Sequence, residues 1–216
     1  MVTTRCPAEE EITRLTQALV VLDVVESVRL MEADEAGFID RWRRFVRLAR
    51  HGILPLHGGR MRKSLGDGLL LEFGDVTSAL HAAEALVEAA LACEHPGRPD
   101  LAMRLRVGVH QAQYVADELD IYGTGVNVAA RLAQAAGPGD ILLTAAVRDR
   151  LPHKLRRALE DLGPCSLRHV SRPVHVFRVP AGEPVAIEAA DDPEDLLLLE
   201  RRPAALTTAQ AACAAA

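Results

Sequence analysis

Strand, helix, two strands around a tight turn, helix, strand: the order of hydrophobic patterns along this 216-residue sequence predicts an α+β fold, an α/β sandwich whose core is a ferredoxin-like βαββαβ unit with extra C-terminal strands and a helix. Three features carry that expectation. An aliphatic run at 17–22 ends abruptly at Asp23; Gly66-Asp67-Gly68 separates two short β-like runs; and an Ala- and Leu-rich stretch precedes an alternating segment with Met103, Leu105, Val107 and Val109.

Each element has its own signal. The run at 17–22 lacks helical spacing and reads as a buried strand. A long helix is expected at 27–49, where the acids Glu26, Glu32, Asp34, Glu35 and Asp40 precede the bases Arg41, Arg43, Arg44, Arg47 and Arg50, the order the helix dipole favours. Residues 60–64 and 69–73 flank the Gly-Asp-Gly turn as a hairpin, a second helix covers 76–93, and a fourth strand covers 103–110. Beyond this unit, Asp120-Ile-Tyr-Gly-Thr-Gly leads into a helix at 126–136 closed by Gly137-Pro138-Gly139, and 141–143, 165–170 and 174–179 read as further strands. The expected organisation is an N-terminal extension at 1–16, a folded domain at 17–180, and a Pro/Ala-rich acidic linker or disordered tail at 181–216.

Composition excludes several roles. At 49% hydrophobic and 25% charged, the chain is globular, and 25 basic against 30 acidic residues, a net charge of −5, argues against nucleic acid as a partner. The run Arg41-Trp-Arg-Arg-Phe-Val-Arg47 is better explained as the solvated face of an amphipathic helix. The best apolar run, 18–25, is broken by Asp23 and falls far short of the ~20 residues of a membrane helix, so no membrane is expected. Cys6, Cys93, Cys165 and Cys213 form no Cys-x-x-Cys pair, which with the absence of a signal-peptide pattern suggests a reduced, cytoplasmic chain. Lys63 and Lys154 are the only lysines in an arginine-rich sequence.

The topology brings chemistry together. In the βαββαβ order the first and third strands are antiparallel neighbours, so Asp23 and Asp67 face each other beside the start of the first helix, whose free N–H groups suit phosphate. Two such carboxylates can hold one or two divalent cations; singly, each has a plainer explanation, as a helix cap or a turn residue. Asn127 and Arg131 stand four apart on one helix face, suited to a developing phosphate charge or simply to solvent. Lys63 offers a compact ammonium for a single acceptor, such as a purine ring nitrogen, or mere solubility.

These residues resemble the class III adenylate and guanylate cyclase catalytic domains. Lys63-Ser-Leu-Gly-Asp67-Gly is similar to the family's Lys-x-x-Gly-Asp hairpin, and Asp120-Ile-Tyr-Gly-Thr-Gly-Val-Asn127-Val-Ala-Ala-Arg131 to its second signature, within a match running from about 19 to 179. The resemblance implies the class III nucleotidyl cyclase fold, a homodimer with shared active sites, and ATP as substrate for conversion to 3′,5′-cyclic AMP and pyrophosphate. It implies that Asp23, Asp67 and the carbonyl of Val24 bind two Mg²⁺ or Mn²⁺ ions per site, and that Lys63 and Asp120 read the purine. Asn127 would then orient the ribose, Arg131 would stabilise the pentavalent phosphorus, and Arg168 would contact the terminal phosphates where the family often has lysine. A regulatory domain beyond residue 216 is compatible with this picture.

One position departs from the family pattern. Asp23 is usually followed by a small glycine that lets backbone N–H groups approach the triphosphate, whereas here Val24-Val25-Glu26-Ser27 follows, and Glu26 adds bulk and negative charge. Glu26 either turns away as a helix-start acid, the preferred orientation, or contacts a metal. The alternatives left open are a cyclase of another nucleotide, GTP or a pyrimidine triphosphate, and a weakly catalytic cyclase-like module that dimerises and binds nucleotide.

Overall fold

The computed structural model describes residues 14–180, apart from 94, 96, 118 and 119. Residues 1–13 and the expected tail at 181–216 lie outside the described residues. The chain runs β1 (Arg14–Val24), α1 (Ser27–Leu48), a π-helical turn (Ala49–Ile53), α2 (Leu54–Leu56), β2 (Arg60–Ser64), β3 (Gly68–Phe73) and α3 (Val76–Ala92). It continues through β4 (Leu105–Ala116), β5 (Ile121–Tyr122), α4 (Thr124–Ala135), β6 (Ile141–Thr144), α5 (Ala145–Arg148), α6 (His153–Arg157), β7 (Glu160–Cys165) and β8 (Val174–Arg178).

The sheet order is β2-β3-β1-β4-β6-β8-β7, with β5 paired to β4. Its first four members reproduce the ferredoxin-like arrangement, with β1 antiparallel to both β3 and β4. The one parallel pairing joins β4 to β6, and α4 is the crossover that such a connection requires. Ala18 to Leu22 are buried on both faces because helices cover both. One face packs Ala18, Val20 and Leu22 against Leu30, Phe38 and Phe45 of α1 and Leu80, Leu86 and Val87 of α3. The other packs Leu19, Val21, Leu70 and Tyr114 against Ala129 and Ala133 of α4. Gly108 makes that second packing possible: a Cβ there would lie 2.5 Å from both the carbonyl of Ala129 and the nitrogen of Ala133.

Helix ends follow local chemistry. Asp75 caps α3, its carboxylate accepting from the backbone N–H of Thr77 and Ser78 at 2.9 Å each. Asp34 interrupts α1 with an extended backbone, φ −164° and ψ 83°, and restarts it by accepting from the Gly37 N–H at 3.0 Å.

The sequence expectations need several corrections. β1 starts at Arg14, so the domain boundary at 17 cuts into a strand, and β4 continues to Ala116; each extends the other's ladder beyond its own apolar run. The strand expected at 165–170 lies earlier, at Glu160–Cys165, and residues 166–173 between β7 and β8 form a connecting loop. β7 tolerates Gly163-Pro164 because it is the sheet's outer edge and is bulged between Asp161 and Gly163.

Candidate active site

Asp23 and the Asp67 turn meet at one end of the sheet, as the topology requires. Asp23 is the register partner of Gly68, and the N–H of Val24 donates to the carbonyl of Asp67 at 3.1 Å. Gly68 is needed for this approach, since a Cβ would lie 2.7 Å from the Leu22 carbonyl and 3.3 Å from Asp23 Oδ1. Both carboxylates are half-buried, so neither is lost to bulk water nor sealed from it.

Arg106 was not singled out by the sequence. It lies opposite Asp23 on β4 and donates to Asp23 Oδ2 from Nε at 2.9 Å and also from Nη2. Its only signal in the sequence is its polar place in the alternation of 103–110; the pairing with Asp23 depends on register between distant strands.

Glu26 occupies the left-handed region, φ 52° and ψ 37°, immediately before α1. That is the conformation glycine adopts freely. Its carboxylate is held by Arg29 Nε at 2.7 Å on the exposed surface, in the helix-start orientation.

A second group is centred on Lys63 and Asp120. Lys63 Nζ donates to Asp120 Oδ2 in an ion pair across 57 positions of sequence. Asp120 is fixed further by the Ile121 N–H, which donates to its Oδ1 at 2.9 Å, and by its own N–H, which donates to Asp117 Oδ1 at 2.8 Å. The Lys63 hydrogen bond, reinforced by that of Ile121, holds the Asp120 carboxyl below its usual value. On α4, Asn127 is exposed and Arg131 half-buried, its Nη1 donating to the neutral Gln134 Oε1 at 2.6 Å. Among the described residues no ion pair joins Arg131 to an acidic side chain.

Arg168 is exposed in the loop after β7, its Nε donating to His169 Nε2 at 3.1 Å. The strand directions put that loop at the sheet end opposite Asp23. Among the described residues no hydrogen bond or ion pair joins Asp23 or Asp67 to Lys63, Asp120, Asn127, Arg131 or Arg168. Within one copy of the chain, only the Arg168 loop is placed by strand direction at the far end of the sheet from Asp23.

The donor set of Asp23, Asp67 and the Val24 carbonyl fits a hard divalent ion. No group of three or more His, Cys, Asp or Glu side chains among the described residues can hold a metal. Two carboxylates with a backbone carbonyl and substrate oxygens is the sparse all-oxygen set that Mg²⁺ or Mn²⁺ accepts, because Mg²⁺ usually completes its shell from phosphate and water. No helix among the described residues is long and apolar enough to cross a membrane.

The chain is similar to known proteins. A Rhizobium meliloti protein named "Putative adenylate cyclase 3" is 32% identical over 195 residues, 87% of this chain and 32% of that protein. The chain spans about a third of the length of the curated relatives it matches. A solved Silicibacter pomeroyi structure, described as an adenylate/guanylate cyclase/hydrolase, matches at 28% identity and TM-score 0.69, covering 79% of this chain and 99% of that one. The adenylyl cyclase CyaB from P. aeruginosa has the same fold, with TM-score 0.70 at 20% identity over 81% of this chain and 98% of that one. Residues 8–177, which include all of these side chains and every described strand except the final Arg178 of β8, match the profile of the adenylate and guanylate cyclase catalytic domain, and the chain belongs to that family.

Proposed function

We propose that this chain is the catalytic domain of an adenylate cyclase, converting ATP to 3′,5′-cyclic AMP and pyrophosphate at sites shared by two copies in a homodimer. The Lys63–Asp120 ion pair carries the reading. Adenine presents an acceptor at ring N1 and a donor at the 6-amino group, and an ammonium beside a carboxylate complements that edge. Guanine reverses the order, with a donor at N1 and an acceptor at O6, so the two residues would have to exchange places to serve it.

Asp23, Asp67 and the carbonyl of Val24 would hold two Mg²⁺ or Mn²⁺ ions. When bound, these supply acidification of the ribose 3′-hydroxyl and neutralisation of the triphosphate. The chain's own residues do the rest. Arg106, already beside Asp23, is a cation within reach of phosphates arriving there. Asn127 orients the ribose and Arg131 faces the charge that grows as the 3′-oxygen bonds to the α-phosphorus and the bond to the β-phosphate oxygen breaks. Arg168 contacts the terminal phosphates, delivered from a loop remote from Asp23 within its own chain. The position of the Arg168 loop, at the sheet end opposite Asp23, supports assembly from two copies, each lending residues to its partner's site. Because the Glu26 carboxylate is held by Arg29 on the exposed surface, the geometry favours a working site over an inert module. ATP as substrate gives the domain a cytoplasmic setting.

Purified protein supplied with Mn²⁺ and each of the four nucleoside triphosphates tests the proposal. Cyclic AMP should dominate, Asp67→Ala should lose at least ~10³-fold in turnover, and Lys63→Glu with Asp120→Cys should shift preference toward GTP. No cyclic AMP from the wild type, or full activity in Asp67→Ala, would sink the reading.

A further inference from the structure

We infer that Glu72, a buried carboxylate on β3 that the cyclase chemistry does not use, is a positioning residue that fixes the spacing of Lys63 and Asp120 and thereby the choice between ATP and GTP. The inference rests on the reading of that pair as the purine-recognising residues.

Glu72 is 6% exposed, and its Oε2 accepts hydrogen bonds from both Arg62 Nε and Tyr114 Oη. The two donors come from strands on opposite sides of β1: Arg62 from β2 at the sheet edge, and Tyr114 from β4. Each is tied to one member of the purine pair. Arg62 adjoins Lys63, and the bulge between Met61 and Lys63 breaks the usual alternation. Adjacent residues of a regular strand point to opposite faces; here the extra residue lets Arg62 reach Glu72 while Lys63 reaches Asp120. Tyr114, fully buried, packs in one cluster with Ile121, which follows Asp120 and donates its N–H to the Asp120 carboxylate. A single oxygen therefore braces the strand that carries the ammonium and the loop that carries its carboxylate partner.

The brace is stiff for a physical reason. A buried carboxylate is costly unless its charge is met by donors, so Glu72 holds both of them, and burial followed by the Glu72 bond pushes the Tyr114 phenol up to about 12, which keeps it a donor throughout the working range. Position matters to specificity because an ammonium and a carboxylate side by side can satisfy either purine. Only which of them lies opposite position 1 and which opposite position 6 distinguishes adenine from guanine.

Two measurements on the full chain decide the matter. The sequence has only two lysines, Lys63 and Lys154, so protein labelled with ¹³C at lysine Cε gives two resonances, one reporting the pair and one serving as an internal control. Glu72→Gln should move the Lys63 resonance toward that of the solvent-exposed Lys154 and leave Lys154 in place. In parallel, the ratio of kcat/KM for ATP over GTP should fall about 10-fold in Glu72→Gln, mainly through a higher KM for ATP, a shift equivalent to about 1.4 kcal/mol. Tyr114→Phe and Arg62→Met remove one donor each, keep the carboxylate, and should each lower the ratio about 3-fold; they decide the question if Glu72→Gln fails to fold. A folded variant with an unmoved Lys63 resonance and an unchanged ratio overturns the inference while leaving the cyclase reading intact. A wild type that cyclises ATP and GTP equally overturns the adenine reading instead, and the lysine spectrum then still decides the brace.

Discussion

Arg106 donates from both Nε and Nη2 to one oxygen of Asp23, so the carboxylate beside the Asp67 turn is already matched by a cation on the neighbouring strand. A metal ion and a guanidinium compete for that oxygen. Arg106→Ala should therefore tighten Mn²⁺ binding in the absence of nucleotide by about 10-fold, the equivalent of one charge-assisted pair, while slowing turnover with ATP about 10- to 100-fold as a phosphate contact is lost. Titration followed by electron paramagnetic resonance measures the first and product formation the second. Unaltered Mn²⁺ affinity would mean that the pair does not gate the metal.

If each site is shared between two copies, as proposed, a clear arithmetic prediction results. Asp67→Ala damages one half and Arg131→Ala the other, so each homodimer is inactive. In a mixed dimer, one site carries both changes and the other neither. Random mixing makes about half the dimers mixed, each with one sound site, and activity should return to about a quarter of wild type. Equal volumes of the two purified variants, incubated and assayed for cyclic AMP, give the answer; no recovery despite demonstrated subunit exchange would place all residues of a site on one chain.

Glu26 is held at φ 52°, where a side chain costs roughly 1–2 kcal/mol. Glu26→Gly removes that strain but adds roughly 0.5–1 kcal/mol of unfolded-state freedom, so stability by urea unfolding should change by less than about 1 kcal/mol. Activity should respond more. Removing a negative charge from the approach to the triphosphate should lower KM for ATP several-fold, as measured by initial rates at fixed Mn²⁺. A higher KM would show that the Glu26–Arg29 pair supports the site.

Burial pushes His110 down to about 4, and its Nδ1 lies 2.9 Å from the Thr144 hydroxyl. Between pH 6.5 and 4 the unfolded chain binds a proton that the folded chain refuses. Stability is therefore full above pH 6.5 and declines as pH falls toward 4, by up to about 3 kcal/mol. His57 is shifted in the same direction, also by burial, so the comparison with His110→Asn isolates His110. Urea unfolding at pH 7 and at pH 4.5 should show a markedly smaller difference in the variant. Asp34, Asp75 and Asp120, all held below their usual value of 3.8, lose their contributions only at lower pH.

What the sequence revealed and what it hid divide along a physical line. The hairpin around Asp67, the strand ending at Asp23 and the helix bearing Asn127 and Arg131 were legible because turn chemistry and apolar period are local. The convergence of Asp23 and Asp67 followed from topology alone. The Arg106–Asp23 pair and the bonds that Glu72 accepts were not legible because they depend on register between strands far apart in sequence. The strand Glu160–Cys165 was missed because Gly163-Pro164 is a breaker signal everywhere except at a bulged sheet edge, and 165–170 was misread because Leu167 and Val170 are apolar loop anchors, packed in the small cluster around Leu132.

β2 is an outer edge of the sheet, and the residues along it, Arg60, Met61, Arg62 and Lys63, are mostly cations interrupted by a bulge. Charge and irregularity on an edge strand are what keep it from recruiting the strand of a neighbouring molecule. The side chains proposed to brace and read the nucleotide therefore also protect the protein against aggregation. Re-engineering its base preference by neutralising Lys63 or Arg62 carries a colloidal liability, and such variants are best expressed with a compensating charge at Ser64, on the same exposed edge.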